Sequence, residues 1–163
     1  MLTRRAMIAG SAAAALSGCA SKFLTYDGPQ VTSVLALKGQ RTLILMNGQT
    51  PLKAVQFGLG FAPVGHKRFR GDGRTPEGLY TIDRRNPNSE YHLSLGISYP
   101  NDADRAYAAQ FNRSPGGDIF IHGTPREYAG RGDWTAGCVA ISNDAMEQVY
   151  AMVQDGTPCI LYP

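Results

Sequence analysis

From Val31 onward the apolar residues come in short runs, VTSVLAL, RTLILMN, LKAVQFGLG, LYTID, YHLSLGI and DIFIH, each bounded by Gly, Pro, Asn or Asp. Runs of this length between turn-formers read as strands. A last run, CILYP, closes the chain. Only SNDAMEQVYAMVQDG has helical spacing: Ser142 to Asp144 supply caps, Met146, Val149, Tyr150 and Val153 share one face, and Gly156 is the stop. The pattern predicts a mainly β, antiparallel domain with one helix in its C-terminal half. No repeat of solenoid or propeller length is visible.

The N-terminus breaks this pattern. MLTRRAMIAGSAAAALSGC sets Arg4 and Arg5 before an apolar run, Ala6 to Leu16, that ends in small residues, the layout of an export signal. The run is too short to span a bilayer, which takes roughly twenty residues. Leu16-Ser17-Gly18-Cys19 resembles the bacterial lipobox, and Thr3 to Ile8 resembles a twin-arginine signal. The alternative is a buried helix with a core cysteine. Residues 1–18 are thus expected to be an export signal and 19–31 a lipidated Cys19 followed by a tether. Residues 32–163 are expected to be one folded domain. Ala20 after the cysteine resembles outer-membrane lipoproteins, so the expected location is periplasmic, with an outer-membrane lipid as partner through acylated Cys19.

Composition adds exclusions. With 19 Gly and 10 Pro, 43% hydrophobic and 18% charged residues, the chain is a loop-rich globular domain, neither disordered nor a coiled coil. Removal of Arg4 and Arg5 leaves 14 Lys and Arg against 13 Asp and Glu, a near-neutral balance that points away from nucleic acid. Three cysteines are too few for a disulfide scaffold.

The chemistry concentrates in DIFIHGTPREYAGRGDWTAGCVAI, Asp118 to Ile141. His122 ends an apolar strand, and Cys138 opens another from a Thr-Ala-Gly-Cys turn. A thiol becomes a strong nucleophile when a neighbouring imidazole takes its proton. Gly137, lacking a Cβ, lets the Gly137 and Cys138 amides converge as an oxyanion hole. The bland alternative is a buried cysteine and a core histidine. A metal site is disfavoured, since Cys138, His122, His66 and His92 lack paired ligand spacing. Cys159 reads as a core residue, although a Cys138–Cys159 disulfide is chemically allowed in an oxidising compartment.

His122-Gly123, a Gly-rich loop and then Thr135-Ala136-Gly137-Cys138 resemble the L,D-transpeptidase (YkuD-type) catalytic domain, as does the upstream stretch Gly71 to Ile82. The resemblance covers roughly residues 32–163. It implies a β-sandwich with an active-site cleft, no cofactor, and peptidoglycan stem peptides as partners. It also implies a nucleophile at Cys138, a base at His122 oriented by the Gly123 carbonyl, and an oxyanion hole at Gly137 and Cys138. Relatives usually carry a histidine where Ala136 stands and Arg or Asn where Ala140 stands. Substrate contacts must then come from elsewhere, and Arg74, Arg126, Arg131, Asp133, Trp134 and Thr135 are the candidates. The Gly71 to Gly78 stretch itself reads as architecture.

The implied activity is acyl transfer from a stem peptide to an amine. Its alternatives are a hydrolytic L,D-carboxypeptidase or amidase, and a silent peptidoglycan-binding lipoprotein. Papain-like and NlpC/P60-like peptidases run cysteine before histidine, and sortases need an arginine after the cysteine. No arginine follows Cys138.

Overall fold

The computed structural model describes residues 21–163. The expected export signal, Cys19 and Ala20 lie outside the described residues.

Eight strands follow in chain order: β1 (Ser33–Leu37), β2 (Thr42–Asn47), β3 (Thr50–Gln56), β4 (Gly78–Asn86), β5 (Ser94–Ile97), β6 (Ile119–His122), β7 (Val139–Ala140) and β8 (Pro158–Tyr162). They form one mixed sheet in the order β3-β2-β1-β8-β4-β5-β6-β7. In β1 and β2 the alternate residues Val34, Ala36, Leu43 and Leu45 are buried while their neighbours are partly exposed, the two-residue period of a pleated strand with one face inward.

The sheet curls because β4 changes partner along its length. Gly78–Thr81 pairs with β8, whereas Ile82–Asn86 pairs with β5 after an irregularity between Ile82 and Arg84. Such a bulge bends and twists a strand. Beyond β3 the chain then reaches the opposite end of the sheet. Gly58 and Ala140 exchange backbone hydrogen bonds of 2.8 and 2.9 Å, and Thr135 does the same with Leu59 and Phe61 at 3.0 and 2.9 Å. A mainly β, cleft-bearing architecture results, around a core that includes Val34, Leu43, Ile82, Leu95, Ile121 and Leu161.

Two expectations need correction. The sheet is not wholly antiparallel: β1–β8 and β6–β7 are parallel. A hydrophobic run has no direction, so the sequence pattern could not separate the two cases. There are also two α-helices among the described residues, α1 (Asp102–Ala109) and α2 (Asn143–Met152). Only α2 has a hydrophobic face, with Met146, Val149 and Tyr150 buried and Ser142 capping Ala145 N. In α1 only Asp104 and Ala108 are buried, so the apolar signal is weak. Its start is set by a reciprocal cap between Asn101 and Asp104. Asp104 also accepts from Tyr80 Oη and bonds His66 Nε2, each at 2.9 Å.

The stretch expected to be a tether lies against the domain from Lys22 onward. Lys22 Nζ donates to the carbonyls of Pro87 and His92 at 2.7 and 3.0 Å, and the Phe23 ring sits 6.5 Å from that of Tyr150. Cys159 is fully buried in β8, paired with Val34 on one side and Tyr80 on the other, and both described cysteines are free thiols.

Candidate active site

The site starts from a strand register. β6 and β7 run parallel with Ile121 opposite Val139 and His122 opposite Ala140, which sets Cys138 beside Phe120. Alternate residues point to opposite faces. Ile119, Ile121 and Val139 therefore enter the core, while Phe120, His122 and Cys138 share the other face. The Phe120 amide donates to Cys138 Sγ at 3.4 Å, and the thiol donates to the Asp118 carbonyl at 3.5 Å. Cys138 and His122 line one cavity of about 320 Å³, walled by Tyr91, Ser94, Asp118 and Phe120.

His122 is 3% exposed, and its Nδ1 lies 2.7 Å from the Gly123 carbonyl oxygen. A carbonyl only accepts, so Nδ1 carries the proton and Nε2 holds a free lone pair, the tautomer required of a base. Tyr91 stacks on the imidazole with centroids 4.6 Å apart, and Trp134 meets it edge-on at 5.7 Å. Gly123 must be glycine: a Cβ there would run into Asn143 Oδ1 and lie 2.7 Å from the Tyr91 carbonyl.

Burial under these aromatics pushes the His122 pKa below the usual histidine value, partly opposed by the Gly123 carbonyl. Burial also pushes the Cys138 thiol up, against the Phe120 amide and the charge of Lys67, which favour the thiolate. Both shifts favour the uncharged forms. The uncharged forms are thiol and neutral imidazole, so forming the thiolate requires proton transfer between them.

The Thr-Ala-Gly-Cys turn is braced from within. Thr135, 4% exposed, donates through Oγ1 to the Cys138 carbonyl at 2.8 Å and accepts from the Gly137 amide at 3.1 Å. Gly137 has φ +136°, and a Cβ there would lie 2.6 Å from the Arg74 carbonyl, so this position too excludes a side chain. The Gly137 amide is thus engaged with Thr135, whereas the Cys138 amide has no protein acceptor among the described residues. Thr135 shapes the turn, and its hydroxyl is not turned toward a substrate.

Other sequence candidates separate. Trp134 stacks on Tyr128 at 4.1 Å and 11°, with Arg131 over the far ring at 5.2 Å. These three, with Ala140 and Asn143, line a second cavity of about 340 Å³ behind the His122 wall. Arg126 is exposed on a short 3-10 turn and lines neither cavity. Asp133 pairs with Arg41 at 2.6 Å and accepts from Leu59 N at 2.8 Å, which pins the loop. Arg74 is exposed and also lines neither cavity.

The remaining histidines are held elsewhere. His66 accepts from Glu77 N at Nδ1 and reaches Asp104 through Nε2, and His92 Nε2 is 2.8 Å from Glu147. Neither lines the Cys138 cavity. Sequence reasoning missed Tyr91, which covers the base, and Lys67 and Arg70, which line a pocket with Asp118 and Ala136 that adjoins the Cys138 cavity. The signal for Lys67 and Arg70 was HKRFR, a cluster of cations just before the Gly71 turn.

The chain can now be compared with known proteins. YafK of Escherichia coli strain K12 is 29% identical over 92 residues, which cover 55% of this chain and 32% of YafK. The helical cell shape determining protein Pgp2 from Campylobacter jejuni superposes with a TM-score of 0.63 at 24% identity, over 88% of this chain and 51% of Pgp2. An L,D-transpeptidase from Mycobacterium smegmatis gives 0.56 at 15% identity, over 82% and 59%. The chain spans about a third of YafK and about half of the Pgp2 chain. The model of the L,D-transpeptidase catalytic domain, YkuD, matches residues 31–161, and the chain belongs to that family.

Proposed function

We propose that the protein is a cysteine acyltransferase acting on peptidoglycan stem peptides, with Cys138 as nucleophile and His122 as base. The observation that carries this reading is the His122 tautomer: Nδ1–H is held by the Gly123 carbonyl, and the Nε2 lone pair is left to serve the cavity that Cys138 lines. Burial favours the uncharged form of both groups, so the thiol proton moves to Nε2 as sulfur attacks. The new C–S bond forms at the peptide carbonyl, and the Cys138 amide is the donor best placed for the developing oxyanion. His122 returns the proton to the departing amine, which leaves a thioester. An acceptor amine then attacks the thioester carbon, loses its proton through His122, and releases the thiol.

Hydrolysis would use the same thioester with water as acceptor. Incubating the soluble domain with purified muropeptides and following products by mass spectrometry separates the cases: crosslinked dimers support transfer, and loss of the terminal residue without dimers supports hydrolysis. A folded wild type that yields neither would sink the reading. Export and lipidation at Cys19 belong to the same proposal, supported by the twin arginines, the apolar run and the Leu-Ser-Gly-Cys ending. Fatty-acid labelling of the wild type but not of Cys19→Ala is the expected result.

A further inference from the structure

A small pocket of about 190 Å³ adjoins the Cys138 cleft. Asp118 lines both, and Ala136, two residues before the cysteine, forms part of the wall with Lys67, Arg70, Gly71 and Gly116. With Gly117, the lining is two cations, four positions with little or no side chain, and one aspartate. That aspartate points away: its carboxylate is 91% exposed and lies 3.2 Å from Arg84 Nη2.

Lys67 is 3% exposed and donates to the Phe69 carbonyl at 3.1 Å and to Asp72 Oδ1 at 2.9 Å. An ammonium has three protons, so one is left for another acceptor. Asp72 shares its charge among the amides of Arg68, Phe69 and Arg74 as well. The Arg70 guanidinium makes no ion pair among the described residues. The pocket is therefore cationic and small, and it shares Asp118 with the cavity that Cys138 lines. The Lys67 charge is also felt at Cys138, where it favours the thiolate.

We propose that this pocket is an anion subsite that receives the carboxylate of the acyl donor's leaving amino acid. The assignment rests on the stem-peptide reading above. In a donor cleaved one residue from its end, that carboxylate lies two bonds from the scissile nitrogen, so a cationic pocket that adjoins the Cys138 cavity is within reach of it. The short Ala136 side chain keeps the pocket open, and donors whose last residue is amidated or extended lose the contact.

The test has two arms. In the first, Cys138 of the folded protein displaces iodide from iodoacetate, an anion, or from iodoacetamide, its neutral analogue. The wild-type ratio of the two rates should exceed that of a free small thiol by about tenfold, the size of one favourable charge contact. Arg70→Gln, at an exposed side chain, should lower the ratio with the iodoacetamide rate unchanged. Ala136→Asp, which sets a carboxylate in the pocket, should lower it further. A wild-type ratio equal to the free thiol's, or one untouched by both variants, overturns the anion subsite.

In the second arm, a tetrapeptide donor with a free C-terminal carboxylate should be converted faster than its C-terminal amide, and Arg70→Gln should narrow the gap. Equal conversion by the wild type overturns the leaving-group assignment. If neither peptide is converted while the alkylation preference holds, the stem-peptide reading falls and the anion site stands.

Discussion

Two glycine-rich segments meet where Gly137 packs against the Arg74 carbonyl, and they do opposite things with their polar groups. In Gly71–Gly78 nearly every charge is answered from inside. Asp72 takes three amides and Lys67, while Glu77 takes the buried Lys38 at 2.6 Å, whose ammonium also reaches the Gly65 and Thr75 carbonyls. In Gly123–Cys138 the turn is equally braced by Thr135, yet the groups at its ends, His122 Nε2 and the Cys138 amide, are left open toward one cavity. Glycine content alone does not mark chemistry. What marks it is a polar atom held rigidly by a neighbour and left without a partner on its reactive side.

Changing each segment should therefore give different losses. Cys138→Ala should abolish muropeptide conversion with the denaturant midpoint nearly unchanged, since only the sulfur is removed; a folded variant that still converts muropeptides breaks the contrast.

His122→Ala should slow acylation by roughly 10²- to 10⁴-fold near neutral pH, the usual worth of a positioned base. Mass gain on Cys138 from a carbapenem provides the measurement. In the wild type the lowered His122 pKa keeps the base neutral down through the ordinary histidine value near 6.5, so the acid limb of activity should lie below it. Because burial raises the Cys138 pKa, the variant should recover only above the ordinary thiol value of 9.0. Recovery below that value would show that another group activates the sulfur.

Asp72→Ala should act on stability first. It strands the ammonium of Lys67, a loss on the order of 3–5 kcal/mol for a buried pair broken on one side, measurable by urea unfolding. A variant of normal stability would mean the upstream turn is not the scaffold it resembles.

Cys159 offers a smaller effect with a definite sign. Burial pushes its thiol up to about 12, so the folded state resists an ionisation that the unfolded chain undergoes at the ordinary thiol value of 9.0. Stability should be full below pH 9 and fall toward pH 12, by up to about 1.4 kcal/mol per pH unit from this group. Cys159→Ala should flatten that part of the pH profile and keep activity. An unchanged slope refutes the assignment.

The smallest expected change is Tyr91→Ala, which removes a ring stacked on the base, worth about 0.5–1.5 kcal/mol beyond its buried area. Its diagnostic is the acid limb of the pH profile, which should move up toward the ordinary histidine value as water reaches His122.

Short apolar runs and turn residues were enough to make the domain mainly β, to place α2, and to single out His122 and Cys138 as a pair on neighbouring strand ends. The family resemblance in the two glycine-rich stretches was likewise legible, because local motifs are written in consecutive residues. The polar face of α1 hid it, since a capping box and a buried Asp104 stabilise it in place of an apolar stripe. Strand direction, the partner change along β4 and the closure of Gly58 onto Ala140 were decided only by the assembled sheet. So were the lid of Tyr91 and Trp134, the internal use of Thr135, and the meeting of Lys67 and Arg70 with Asp118 and Ala136. Those features join residues far apart in the chain. Desolvation, which favours the uncharged forms of Cys138 and His122, is a property of what surrounds a residue in space, and no spacing along the chain encodes it.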